Sequence, residues 1–403
     1  MAVVKPFKAW RPQPDFAPEV ACVPYDVINT KEAKDLAKGK QNSFLHVIRP
    51  EIDLPEKTSV YDARVYEKGR ENLHTLLNSD AFLQEESDAL YIYRLIMKGR
   101  SQTGIFGCVS VDDYNTDVIL KHELTRPDKE DDRTKHIITQ EAHAEPVMLT
   151  FRDAGSVTSF MNNHIDQNEP VYDLITEDGI QHTIWKVESS ETLVSEFQKI
   201  PKLYVADGHH RCASAARAAK EYASQNPEHN GSEEYNFFPA VLFPMDQMEI
   251  LAYNRIVFSI PDNFLKQLEN KFTVQKKAKP VPPKKGMVSF YVNDNWYGIT
   301  LKPSEHTDPA SQLDISLLQN QILTPILDIK DQRTDPNIDF VGGIRGTDEL
   351  ESLVDNGEAS LGISLYPTSI EELLDVSDAG QLMPPKSTWF EPKLRSGLLI
   401  HTF

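Results

Sequence analysis

The chain reads as a mixed α+β protein, and three observations predict this. Short runs of β-branched and aromatic residues mix with amphipathic helical stretches in no regular alternation, so a repeating βαβ array is not expected. Neither a fixed-period repeat nor a long low-complexity tract interrupts them. At 403 residues the chain has length for two or three domains and for a large core.

The elements follow in order. Lys5 to Pro24 is proline-rich and expected to be extended, with a strand at Glu19–Val23. Thr30 to Ala37 reads as a capped helix, Ser43 to Ile48 as a strand and Thr58 to Leu77 as a long helix. Ala89–Met97 and Thr103–Val111 read as paired strands around Lys98-Gly99-Arg100. Lys121 to His136 carries both signs of charge, the usual mark of a solvated loop. Val147–Phe151 is a strand, Asp153–Asn163 a helix, and Val171–Trp185 two strands around Glu177-Asp178-Gly179. Leu203–Ala206 is a strand that breaks at Asp207-Gly208, and the alanine-rich run Cys212–Tyr222 is a helix. Phe237–Phe243 and Ile250–Phe258 are expected as a hairpin.

Pro261 is taken as the boundary between a region 1–260 and a region 261–403. Beyond it come a helix at Asp262–Lys271, a hairpin of Met287–Val292 with Trp296–Leu301, and an amphipathic helix at Asp314–Leu327. The strands Ile338–Val341 and Ala359–Leu365 alternate with helices ending at Val354 and Ala379.

Composition narrows the function classes. With 42 basic and 61 acidic residues the net charge is −19, which gives no general pull toward nucleic acid or anionic membrane. Cys22, Cys108 and Cys212 are odd in number, far apart and without a CxxC. That argues against a disulfide framework or a zinc site and for a reducing compartment. Met1–Pro14 holds no apolar core of signal-peptide length, and no run is long enough to span a membrane. A cytoplasmic protein is the expectation.

The most informative stretch is Asp207-Gly208-His209-His210-Arg211 between a strand and a helix. A helix start favours anions through its first N–H groups and its dipole. Arg211 and a histidine would add charge-assisted donors, and Asp207 would hold a metal or orient a donor. The competing reading is a helix capped by Asp207 with both histidines in solvent. Lys121, His122, Glu123, Arg126, Lys129 and Arg133, in the charged run, would line a site for a phosphorylated ligand. Lys386, Ser387 and Thr388, with Lys393, Arg395 and Ser396 further on, offer hydroxyls and cations near two prolines for anion binding; docking through Trp389 and Phe390 is the other reading. Asp26, in Pro24-Tyr25-Asp26-Val27-Ile28, is either a turn residue or a general base. Gly342-Gly343-Ile344-Arg345-Gly346 matches neither the P-loop nor the dinucleotide fingerprint. Cys212 has no base beside it other than His209 or His210.

Taken together, these boxes resemble the bacterial family called domain of unknown function 1015. They are Pro24–Ile28, His122–Thr125, Asp207–Arg211, Asp331–Asp335, Asp339–Gly343 and Lys386–Phe390. The likeness spans nearly the whole chain, and the name carries no activity. More distantly, the strand, Asp-Gly-His box and alanine-rich helix are similar to the ParB/sulfiredoxin-like fold, over Cys22 to Tyr222. Free-serine kinases of that fold carry a similar box and take a catalytic glutamate from an earlier proline-containing motif. Asp26 would fill that place here, one methylene shorter.

The resemblance implies a ParB/sulfiredoxin-like core with large insertions and a C-terminal α+β region whose tail completes the site. It implies a kinase that phosphorylates free L-serine, with Mg²⁺ and a phosphoryl donor such as ATP, ADP or pyrophosphate. Asp26, Asp207, His209 and Arg211 would be catalytic. Gly208, His210, His122, Glu123, Lys386, Ser387, Thr388 and Arg395 would bind phosphate or substrate, and Asp207 would hold the metal. A phosphoserine phosphatase using the same site is the nearest rival. A nucleotide-binding regulatory module and a purely structural protein are the others.

Overall fold

The computed structural model describes residues 1–153 and 155–403, which form two compact units. The first comprises Met1–Lys121, Thr125–Met248 and Pro392–Phe403, and the second His122–Leu124 and Glu249–Glu391. Both are mixed α+β.

The first unit is organised by a nine-stranded mixed sheet. Its strands are β1 (Val4–Lys5), β2 (Leu90–Met97), β3 (Arg100–Ser110), β4 (Ile119–Leu120), β5 (Val147–Phe151), β6 (Tyr172–Ile175), β7 (Gln181–Val187), β8 (Leu203–Asp207) and β9 (Phe237–Pro244). Their spatial order is β4-β8-β5-β9-β3-β2-β7-β6, with β1 also on β3. β8 runs parallel to β4 but antiparallel to β5, and β5 runs parallel to β9. The β2–β3 hairpin turns at Lys98 and Gly99, both at positive φ (51° and 81°), the backbone that matches strand twist in a two-residue turn.

Two buried apolar clusters hold this unit. One joins the sheet to Val157, Met161, Leu193, Phe197, Cys212 and Ala215. The other gathers Val20, Tyr25, Phe44, Val47, Leu73 and Ile400. The returning tail is fixed by Gly397, at φ +89°, where a Cβ would lie 2.7 Å from the Phe44 side chain. Only glycine meets both demands.

The second unit carries a six-stranded antiparallel sheet. Its strands are β10 (Asn254–Val257), β11 (Gln275–Lys276), β12 (Met287–Val292), β13 (Asn295–Thr300), β14 (Ile338–Val341) and β15 (Leu361–Leu365), in the order β11-β13-β12-β15-β10-β14. The expected hairpin is β12–β13, closed by Asn293 and Asp294 at φ 49° and 57°.

Several expectations are corrected. Lys121–His136 is no solvated loop: Pro127–Gln140 is a helix that starts on proline and ends at Glu141 in left-handed conformation. Its buried face is largely polar (Asp132, Thr134, His136, Gln140), so apolar periodicity had nothing to report. Ser43–Ile48 is a turn leading into the helix Leu45–Ile48, and Glu19–Val23 holds the end of the helix Ala17–Val20 rather than a strand. Phe237–Phe243 and Ile250–Phe258 form no hairpin. β9 pairs with β3 and β5, whereas β10 pairs with β14 and β15. The first unit's central stretch ends at Met248, the second unit runs on from Glu249, and the chain rejoins the first unit at Pro392. The helix expected at Asp153–Asn163 runs Ser156–Gln167, and residue 154 lies outside the described residues. Asp314–Leu327 is interrupted by a π-helical stretch at Gln319–Leu323.

Among the described residues no helix is long and apolar enough to cross a membrane. All three cysteines are buried free thiols.

Candidate functional site

The site in the first unit forms where β8 ends. A register shift between Val205 and Asp207 against β5 re-aims the last residue of the strand, as bulges beside functional sites do. Gly208 follows at φ +101°, and a Cβ there would lie 3.0 Å from Arg211 Nε. Glycine is required on both counts. The helix His209–Gln225 then begins, with Gly208 as its N-cap. The alternative of an Asp207 cap is therefore set aside: no side chain caps this helix, and Asp207 is the last residue of the strand.

Arg211 folds back under the turn rather than into solvent. It is 8 % exposed. Its Nη1 donates to the Pro146 carbonyl, its Nη2 lies 3.4 Å from Asp207 Oδ2, and its Nε is buried without a partner. Lys393, on the returning tail, places Nζ 3.4 Å from the same Asp207 oxygen. Burial works against the Asp207 charge, but Lys393, Arg211 and His209 outweigh it and hold the carboxyl below its ordinary range. Burial likewise opposes the Arg211 charge, and Asp26, Asp207 and Glu145 overcome it.

Two further carboxylates complete the cluster. Asp26 is exposed in its turn, within electrostatic reach of Arg211. Glu145 precedes β5, and because β5 is antiparallel to β8 its start lies beside the end of β8. Glu145 Oε1 accepts from the Tyr25 N–H at 3.1 Å and from the Ser396 hydroxyl at 3.2 Å. Burial raises its pKa; Arg211 and Arg133 pull it down, and Asp26 pushes it up. Arg133 stacks 4.1 Å over the Tyr25 ring and pairs with Asp132 at 2.7 Å.

Behind the turn lies a cavity of about 40 Å³ lined by Arg133, His136, His143, Glu145 and Arg211, among others. That is room for ordered water. Burial drives both imidazoles well below their usual pKa, so they are neutral at pH 7.

Within the first unit, the expected site residues are only partly brought together. Asp26, Asp207, Gly208, His209 and Arg211 meet around one cluster of charge. His210 is engaged by the Arg126 N–H at 3.0 Å to its Nε2, so its own proton sits on Nδ1. Arg395 is committed elsewhere in the unit, paired with Asp178 and donating to Thr176 at 3.0 Å. In the second unit, the His122 carbonyl accepts from Met383 N at 2.7 Å, and Glu123 follows on the same segment. Lys386, Ser387 and Thr388 also lie there. The Lys386 carbonyl accepts from buried Arg255 at 3.1 Å, and the Ser387 carbonyl accepts from Thr368 at 3.0 Å. Cys212 is no nucleophile: it is fully buried in the apolar core, and burial pushes its thiol up to about 12. Sequence reasoning places Lys393 among the tail's anion-binding cations but does not connect it to Asp207, which the returning tail does. Glu145 is missed altogether: no motif marks it, and only strand register brings it to Asp207.

Around the turn, Asp26, Glu145 and Asp207 face Arg211, Lys393 and His209, while Arg133 is paired with Asp132. The cluster gathers groups of both signs. Its donors are carboxylate oxygens, the ligand type that suits a hard divalent cation such as Mg²⁺.

A mixed α+β fold with an Asp-Gly-His-His-Arg box on a strand-to-helix turn defines the class. The chain belongs to the family described as "protein of unknown function (DUF1015)", whose model matches residues 4–316. Solved structures that it resembles include a free serine kinase in complex with AMP, at 11% identity and TM-score 0.38, covering 73% of this chain and 92% of that one. A conserved hypothetical protein from Pyrococcus furiosus is similar at 12% identity and TM-score 0.37, over 73% and 95% of the two chains. SbnI with C-terminal truncation, from Staphylococcus aureus, is similar at 12% identity and TM-score 0.39, over 72% and 85%. At these scores the likenesses carry no weight on activity. No curated protein matches the sequence.

Proposed function

We propose that the chain is a small-molecule phosphotransferase that phosphorylates free L-serine to O-phospho-L-serine, using Mg²⁺ and ATP, ADP or pyrophosphate as donor. The observation that carries this is the charge arrangement at the end of β8. Three carboxylates and two cations converge on a glycine turn at a helix start. A cluster with three carboxylates takes a phosphate best together with a divalent cation, and phosphoryl transfer depends mainly on such positioning and neutralisation.

In this reading Asp207 would hold Mg²⁺, which supplies charge neutralisation on the donor phosphates when bound. The helix start with Gly208, His209 and His210 carries the phosphates through its dipole. Arg211 keeps the carboxylates in place from beneath and presents its charge to the same phosphates. Asp26, the exposed carboxylate, takes the serine hydroxyl proton, a role worth about 10²–10⁴-fold in rate. Lys393 joins this set from the returning tail. His122, Glu123, Lys386, Ser387, Thr388 and Arg395 remain proposed substrate contacts. The proposed division of labour keeps catalysis in the region 1–260, with the region 261–403 completing the site through its tail. Location in the cytoplasm, and no nucleic-acid or membrane partner, belong to the same proposal.

The test is incubation of the pure protein with L-serine, Mg²⁺ and each donor in turn, read by mass spectrometry for O-phosphoserine. Donor-dependent product is the expected result. Serine released from O-phosphoserine with no donor present would make the protein a phosphatase instead. Silence in both directions would overturn phosphoryl transfer and leave a binding module.

A further inference from the structure

We propose that Glu145 is a positioning residue that sets the Asp26 turn against the Arg211 helix. The proposal rests on the reading of Asp26 as the proton-accepting carboxylate. Asp26 is exposed, so something other than its own packing must fix where it stands. The residue before it supplies that. The Tyr25 N–H donates to Glu145 Oε1 at 3.1 Å, and the Tyr25 carbonyl accepts from Arg49 Nη1 at 3.0 Å. Its ring lies under the Arg133 guanidinium at 4.1 Å. Backbone donor, backbone acceptor and ring are each held by a different segment.

Of the three holds, Glu145 is also hydrogen-bonded to the returning tail. Its Oε1 accepts from the Ser396 hydroxyl at 3.2 Å. Ser396 in turn exchanges backbone hydrogen bonds with Cys22, at 2.9 and 3.2 Å, on the segment that leads into the Asp26 turn. Glu145 also shares the field of Arg211. A single half-buried carboxylate therefore joins the turn, the returning tail and the helix-start arginine. Removing the acceptor would leave the N–H of buried Tyr25 without its partner and loosen the turn, whereas an amide in its place keeps an acceptor oxygen.

Two readouts on the full-length protein test this: steady-state kinetics of serine phosphorylation, and amide hydrogen exchange at Tyr25. Glu145→Ala is expected to speed Tyr25 exchange by at least about tenfold, since a buried amide loses its acceptor. It is expected to lower kcat by about 10–10²-fold, with donor KM within about threefold, as a misplaced reacting group does. Glu145→Gln is expected to restore both Tyr25 protection and most of kcat. If Glu145→Ala fails to fold, Glu145→Met takes its place, keeping volume while removing the acceptor. Unchanged Tyr25 exchange in the acceptor-less variant would overturn the proposal. So would equal kcat losses for Gln and Ala, because charge rather than positioning would then be at work. Should the wild type make no phosphoserine, the functional reading falls, and exchange at Tyr25 alone still decides whether Glu145 holds the turn.

Discussion

Arg211 lies beneath the turn whose carboxylates it balances, not on its surface. Were Arg211 a surface residue, Arg211→Ala would remove the proposed phosphoryl transfer and leave the fold intact. The buried position changes that expectation, because Asp207 and Glu145 would lose a neighbouring countercharge. Breaking one side of such a buried pair costs about 3–5 kcal/mol. Arg211→Ala is therefore predicted to lower stability by about that amount as well as to abolish transfer, measured by urea denaturation beside the activity assay. Stability equal to wild type would show that the guanidinium is not the counterion described. At this scale the motif residues were legible, because Asp-Gly at a strand end and alanines behind it have one common meaning. Glu145 was not legible. Its neighbours in sequence, Ala144 and Pro146, suggest nothing, and its place beside Asp207 follows only from the antiparallel register of β5 and β8.

At the scale of elements, hydrophobic periodicity found what has an apolar face and missed what does not. The helix Pro127–Gln140 buries Asp132, Thr134, His136 and Gln140, so its sequence looks like a charged loop. β10 was legible as a strand but its partners were not, since β9 ends only a few residues earlier and a hairpin is the short-range default. The helix start at Asp314 yields a test of its own. Burial raises the Asp314 carboxyl to about 6, although the Gly286 N–H donates to it at 2.8 Å. A carboxyl with a folded pKa above its unfolded value favours folding when protonated. That contribution is present below about pH 4 and is lost as pH rises through about 6. Asp314→Asn, which keeps an acceptor for Gly286, is predicted to raise the thermal midpoint at pH 7.5 or so and to flatten its fall between about pH 4 and 6. A variant that loses stability at neutral pH would contradict this.

Over the whole molecule, the first unit draws its site from residues 26, 145, 207–211 and 393, nearly the full span of the chain. The chain leaves that unit at Glu249 and rejoins it at Pro392, which is how Lys393 reaches Asp207. A boundary drawn from proline content alone could not show this return. The net charge of −19 disfavours a nucleic-acid clamp, and under the proposed function the carboxylates at the turn would take a cation together with a phosphate. The central claim is that Asp26 and the Asp207–Arg211 turn act as one phosphoryl-transfer site. The most direct test compares the rate of O-phosphoserine formation by wild type and by Asp26→Asn at saturating donor and Mg²⁺. A loss of about 10²–10⁴-fold, with the donor still bound, is the predicted result. A variant that phosphorylates serine at the wild-type rate would contradict it.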